Sequence, residues 1–375
     1  MLLALACAPA AAQEGAPRAA SDQERVLERT NEHRRAAGVP PLAADPQVQA
    51  AAQSHAQYMA DIGQLSHAQA QRTSPHYSGD SLEDRLRKAG VDFARSGEAV
   101  GLASQSSPSV VVDDLMSTVY HRLLLLSAGF TRAGAGVARG PAGGLDATYV
   151  AIDFVAAPQA AGGAASGVAV YPADNQRDVP GEFDPASETP NPFPQQELVG
   201  QPVSVQADAA ARLVVDDFRL SAAGQPPLEA TVLTQSNDMQ MPEWAAVLVP
   251  LQPLVPGTTY EARFSGTIGG STVERTWRFA TASARAVVMS FAQAVIPAGG
   301  TQTVRLRNLD RSAGSYTVCY EPAELVRSTS QHDFGRFTLT VNRCTPGARC
   351  TVTVRAAYDE GCRKPFARGS FQVGS

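Results

Sequence analysis

A run of small residues, "APQAAGGAASG" at 157–167, divides this sequence into two kinds of chain. Such a run has no side chain able to hold a packed core, and it reads as a linker. Before it, apolar residues recur at helical spacing. After it, they recur in short alternating runs between turn residues. With 375 residues the chain also exceeds what one core usually serves. A multidomain protein is expected, with helices confined to its first part.

The first part, 21–156, carries clear helix punctuation. Ser21 and Glu24 form a capping box, and the helix they start stops at Gly38 before Pro40 and Pro41. Asp45-Pro46 opens a second helix. Its Val48, Ala51, Ala52, His55, Met59 and Ile62 share one face, and Gly63 closes it. Ser81 caps a third, "SLEDRLRKAG", and "SVVVDDLMSTV" is a fourth, with His121 just past its end. "ATYVAIDFV" alternates as a strand, with Val150, Ile152 and Phe154 on one side. After the linker, 168–282 is rich in Pro, Val and Thr, with turn signals every eight to twelve residues. That is the pattern of a β-sandwich. From 283 to 375 the strand pattern continues in a smaller module.

Cys319, Cys344, Cys350 and Cys362 all fall in that last module, while Cys7 stands alone. Four cysteines in a small β module read as disulfides of an exported protein, without the CxxC spacing of zinc. "TVNRCTPGARCTVTV" places Cys344 and Cys350 on either side of a Pro-Gly turn, on what reads as a hairpin, which leaves Cys319 for Cys362. The opening "MLLALACAPAAAQ" resembles a secretory signal within 1–20, with cleavage near Ala12. A lipoprotein anchored through Cys7 is the second choice. No segment has the ~20 uninterrupted apolar residues of a membrane span. The net charge of -5 and the lack of a Lys/Arg run argue against nucleic acid as a partner.

Three chemistry-bearing residues stand at expected element ends: His67 after the second helix, Glu98 in the glycine-bounded "SGEAVG", read as a loop, and His121. Two imidazoles and a carboxylate suit a Zn²⁺ site with an open position. The same groups also suit hydrogen bonds that hold loops together. His55 lies on an apolar helix face and reads as a core histidine. His33, beside Arg34 and Arg35, reads as part of a solvated face, and His76 lies in a loop without assignment. Ser66-His67 lacks a nucleophile-elbow motif, which argues against a serine hydrolase.

"LERTNEHRRAAGVPPLAADPQVQAAAQSHAQYMADIGQLSH", "DRLRKAG", "GEAV", "LMSTVYHR" and "TRAGAGVA" follow one another in the order found in the CAP superfamily of cysteine-rich secretory, antigen 5 and pathogenesis-related class 1 proteins. The first part resembles the shorter bacterial members. The resemblance implies an α-β-α sandwich for 21–156 and a cleft with two histidines and two acids. His67, Glu98 and His121 match three of these, and the second acid is replaced by Thr118. The asparagine after the family's glutamate is Ala99, and the tryptophan before its second histidine is Leu115. With one acid fewer, zinc on His67, Glu98 and His121 is expected to bind weakly. The 168–282 part resembles bacterial Ig-like modules more faintly. The expected fold is a multidomain chain, an N-terminal α-β-α sandwich followed by two β-sandwich modules, the second stapled by disulfides. The expected role is a secreted, periplasmic or surface protein binding a lipid, a peptide or a cell-wall component. The alternatives are a metal-dependent hydrolase using the same cleft, and a structural surface protein with a vestigial cleft.

Overall fold

The computed structural model describes residues 20–375 except 104–106, 143–144, 158–167, 197, 208–210, 284–286, 294, 308–315, 334, 346–349, 358–360, 364, 366 and 375. The expected signal segment, Cys7 and nearly all of the linker lie outside the described residues. Two compact units result, Met1–Ala282 and Ser283–Ser375. The first part and the strand-rich stretch after it thus belong to one unit, although a linker joins them.

The first part runs α1 (Asp22–Ala36), β1 (Ala43–Ala44), α2 (Pro46–Ile62), α3 (Leu82–Lys88), β2 (Arg95–Ala103), α4 (Val110–Ser117), α5 (Tyr120–Leu125), β3 (Arg132–Ala142) and β4 (Leu145–Ala156). The Ser21–Glu24 capping box and the Asp45 cap form as the sequence predicts. The sheet order is β1-β3-β4-β2, parallel only between β1 and β3. Alternation along β4 sorts the layers. Val150, Ile152 and Phe154 meet α1 and α4 through Val26, Val112, Leu115 and Met116. Tyr149 and Ala151 meet α2 through Ala52, Ala56 and Met59. Helices therefore cover both faces, and the result is an α-β-α sandwich. On the α2 side of β3, Gly134, Gly136 and Gly140 stand with the small Ala138 and Ala142. A Cβ on Gly136 would lie 2.1 Å from the Ala52 carbonyl oxygen. Only a bare Cα allows α2 to lie this close to the strand.

The stretch from 168 to 282 forms two four-stranded sheets. One contains Ala169–Tyr171, Val203–Gln206, Ala245–Pro250 and Ala230–Leu233; the other contains Gln176–Val179, Leu213–Ala222, Thr259–Ile268 and Ser271–Thr281. Val203, Val205, Leu248, Phe264, Trp277 and Phe279 fill the space between them. A second cluster joins this sandwich to α5, where Val119 and Leu123 pack with Phe183, Val199, Met241 and Val247. Arg122 of α5 is fully buried there. Its Nε donates to the Met116 carbonyl at 2.7 Å, its Nη1 to the Pro202 carbonyl, and its guanidinium lies 4.7 Å from the Tyr171 ring centre.

The 283–375 unit is also a pair of four-stranded sheets around Val304, Phe337, Leu339, Val352, Val354 and Phe371. Disulfides join Cys319 to Cys362 and Cys344 to Cys350. The sequence read the second pair as flanking a hairpin, and the structure corrects this. Arg336–Val341 pairs with Thr301–Arg307 and Val326–Asp333, whereas Thr351–Ala357 pairs with Thr317–Glu321 and Ala367–Val373. Cys344 and Cys350 thus close a crossover between the two sheets.

Candidate functional site

Glu98 lies within strand β2, not in a loop. It shares its side of the strand with Val100, which packs in the α2 cluster, while Ala99 packs on the α4 side. The Glu98 carboxylate is therefore turned toward α2 and α3, and its side chain is only 4% exposed. Arg85 of α3 donates Nη2–H to Glu98 Oε2 and Nη1–H to the His67 carbonyl at 3.0 Å. On the other oxygen, His67 Nδ1–H donates to Oε1 at 2.8 Å. The His67 side chain is 58% exposed. Burial alone would raise the Glu98 pKa; the His67 hydrogen bond and the Arg85 charge outweigh it and hold the carboxyl below its ordinary range. An ionised carboxylate only accepts, so the His67 Nδ1 that faces it carries a proton, and the neutral tautomer with this bond has Nε2 as its acceptor.

His55 supports this arrangement from below. Its Nε2–H donates to the Ser66 carbonyl at 2.7 Å, and its Nδ1 accepts from Gln69 Nε2–H at 3.1 Å. Burial drives its pKa down to about 4, so it is neutral at pH 7. It is the satisfied core histidine that its helix face predicts. Gln69 in turn accepts from the Ser78 backbone N–H at 2.7 Å.

Asp153 of β4 is the register partner of Glu98 and is fully buried. Neither of its oxygens accepts a hydrogen bond from a described donor. Burial and then the neighbouring Glu98 charge push its pKa well up. Of two carboxyl groups standing side by side, Asp153 is thus the one that holds a proton more readily, and a proton there relieves their repulsion.

His121 and Thr118 do not join this group. His121 lies in the first turn of α5, not beyond a helix end, and α4 and α5 pack on the opposite side of β2. Its Nδ1 bonds Glu188 Oε1 at 3.0 Å, with Thr118 Oγ1 at 3.3 Å. Glu188 comes from the second part of the chain, and its side chain is wholly buried. It also accepts from the backbone N–H groups of Val119 at 2.8 Å, Tyr120 at 2.7 Å and His121 at 3.1 Å. Burial would raise the Glu188 pKa, but the His121 bond and these N–H groups lower it. The structure thus divides the expected constellation into a His67–Glu98 pair and a His121–Glu188 pair.

Among the described residues no three His, Cys, Asp or Glu side chains stand close enough to share a metal ion. The donor set explains this. Both Glu98 oxygens are engaged by His67 and Arg85, and His121 is taken by Glu188. The residues present do not fit a zinc site built on His67, Glu98 and His121. His33, expected on a solvated face, is instead buried, with Nε2 2.7 Å from Asp113 Oδ1. His76 Nδ1 lies 2.7 Å from Asp61 Oδ2.

Residues 27–154 match the model of the cysteine-rich secretory protein family, CAP. They form a CAP domain. Over 135 residues the chain is 31% identical to the uncharacterized protein YkwD of Bacillus subtilis, covering 34% of this chain and 49% of that one. The chain thus spans about half the length of this curated relative. An extracellular SCP-domain protein of Bacillus anthracis is 26% identical, with a TM-score of 0.28, over 36% of this chain and 40% of that one. An outer surface protein of Borrelia burgdorferi is 17% identical, with a TM-score of 0.30, over 36% of this chain and 92% of that one. Sequence reasoning missed Asp153, the neighbour of Glu98, and Glu188, the partner of His121. Asp153 was visible only as the polar position in "ATYVAIDFV". Glu188 carries no local signal, because its role depends on how the second part docks on α5.

Proposed function

We propose that this chain is an extracellular binding protein whose CAP domain presents His67 to its ligand. One observation carries the reading: an exposed imidazole is held rigidly by a buried carboxylate that is itself fixed by a buried guanidinium. Such support on two levels places a polar atom without entropy left to lose on binding. The free Nε2 accepts from a hydroxyl or amide donor, which suits a sugar chain or peptide of the cell envelope. Disulfides in the last unit fit an oxidising compartment. The test is co-sedimentation of the full chain with insoluble peptidoglycan, comparing wild type with His67→Ala. About a tenfold loss of binding, or roughly 1.4 kcal/mol, is expected for the variant. Equal binding, or none by either protein, overturns the reading, and absence of any ligand favours a structural role.

A second reading rests on the same pair. A carboxylate-oriented imidazole with a bare Nε2 is what a general base needs to take a proton from water or a hydroxyl. Release of soluble wall fragments by wild type but not by His67→Ala would favour hydrolysis over binding alone.

A further inference from the structure

We propose that the groove between α5 and the 238–244 loop of the second part binds a small aromatic carboxylate. The groove measures about 310 Å³ and shares no lining residue with the His67–Glu98 pair. That volume lies at the low end of ligand sites, which run from about 300 to 1,000 Å³. Its walls are Tyr120 and Leu124 of α5, Phe130 beyond it, and Pro242 and Trp244 of the loop, with Arg95 among them. The two sides are fastened to each other, because the Tyr120 hydroxyl donates to Asp238 Oδ2 at 2.7 Å. The groove is therefore preformed.

Arg95 sets the class of ligand. Its guanidinium stacks 5.3 Å from the Phe130 ring centre. It also lies so close over Gly129 that a Cβ there would be 1.7 Å from Nη2. Glycine and phenylalanine thus build a platform that holds the cation in place. Arg95 is exposed, and among the described residues no carboxylate pairs with it. A held cation beside aromatic walls calls for an anion joined to an apolar ring. Met239, on the same loop, is 93% exposed. That is unusual for a large apolar side chain. Limited volume and a single cation fit one ring and one carboxylate, either as a free acid or as the C-terminal phenylalanine of a peptide.

Trp244 supplies the signal. The chain has two tryptophans, and Trp277 is 3% exposed in the sandwich core, so added ligand changes the fluorescence of Trp244. The full chain is titrated with 3-phenylpropionate, with its neutral amide, and with acetyl-Gly-Gly-Phe. Saturable change with either acid, and at least tenfold weaker binding of the amide, is expected. Arg95→Met, with unchanged thermal unfolding, is expected to lose the same factor. Binding by the peptide alone assigns the groove to chain ends, and binding by the free acid assigns it to small metabolite-sized acids. No saturation by either acid, or equal affinity for acid and amide, overturns the proposal. So does an undiminished affinity in Arg95→Met.

Discussion

Beneath His67, two carboxyl groups and one guanidinium share a space closed to water. Arg85 pairs with Glu98, and burial beside the Glu98 charge makes Asp153 hold its proton to higher pH than a free carboxyl does. This division makes opposite predictions for two isosteric changes. Glu98→Gln leaves a fully buried guanidinium without its counter-charge. Loss of about 3–5 kcal/mol in urea unfolding is expected, as for one partner removed from a buried pair. Asp153→Asn removes an acid whose charged form is disfavoured by burial and by the Glu98 charge. The folded state raises the pKa of Asp153, so it holds a proton that the unfolded chain gives up above about pH 4. Rising pH therefore costs the wild type stability that the asparagine variant keeps. Thermal unfolding of Asp153→Asn should exceed wild type at pH 7, and the gap should close as pH falls toward 4. A constant gap would mean that folding leaves the Asp153 pKa where it stands in the unfolded chain. That His67 and Glu98 meet was legible because short motifs around them follow a known order. Their link to Asp153 was not, since it depends on the cross-strand register of β2 with β4.

At the scale of elements, the helix caps were legible because each is a local contest for a few backbone N–H groups. Strand β2 was not. "SGEAVG" reads as a loop, since glycine is a poor strand former. A Cβ on Gly97 would lie 2.6 Å from Leu124 Cδ1 and 3.0 Å from Phe130 Cζ, so those side chains would have to give way. Helix α5 presses on this face of the strand, and only the packing reveals the need. The same logic applies where α2 rests on β3. Gly136→Ala should force α2 off the sheet, because the obstacle is the Ala52 backbone and not a flexible side-chain end. A cost of about 1–3 kcal/mol is expected in chemical denaturation. His55 on the same helix should lose its fixed bond to the Ser66 carbonyl, visible as a shift of its imidazole resonances. A variant as stable as wild type would show that α2 can retreat freely.

For the molecule as a whole, the last unit and the rest should respond to different perturbations. Cys319 and Cys362 are 43 residues apart, and a loop of that length corresponds to about 4 kcal/mol in the chain-entropy account. Reduction should therefore lower the melting of 283–375 and leave that of 20–282 in place, as two calorimetric transitions. Glu188 should act in the opposite place. It is a wholly buried carboxylate through which the second part grips the CAP domain at α5, accepting from three backbone N–H groups and His121. Glu188→Ala leaves those donors buried without an acceptor, at a cost on the order of 2–4 kcal/mol. Glu188→Gln keeps an acceptor oxygen and should cost less. The folded state lowers the Glu188 pKa, so its contribution is complete above the unfolded value of about 4.3 and is lost as pH falls through the folded one. The difference between wild type and Glu188→Ala should accordingly be full at pH 7 and shrink below pH 4. Only the transition of the 20–282 unit should move. If Glu188→Ala melts like wild type at pH 7, the grip on α5 rests on the apolar contacts of Val119 and Leu123 and on the Tyr120–Asp238 and Arg122–Pro202 bonds.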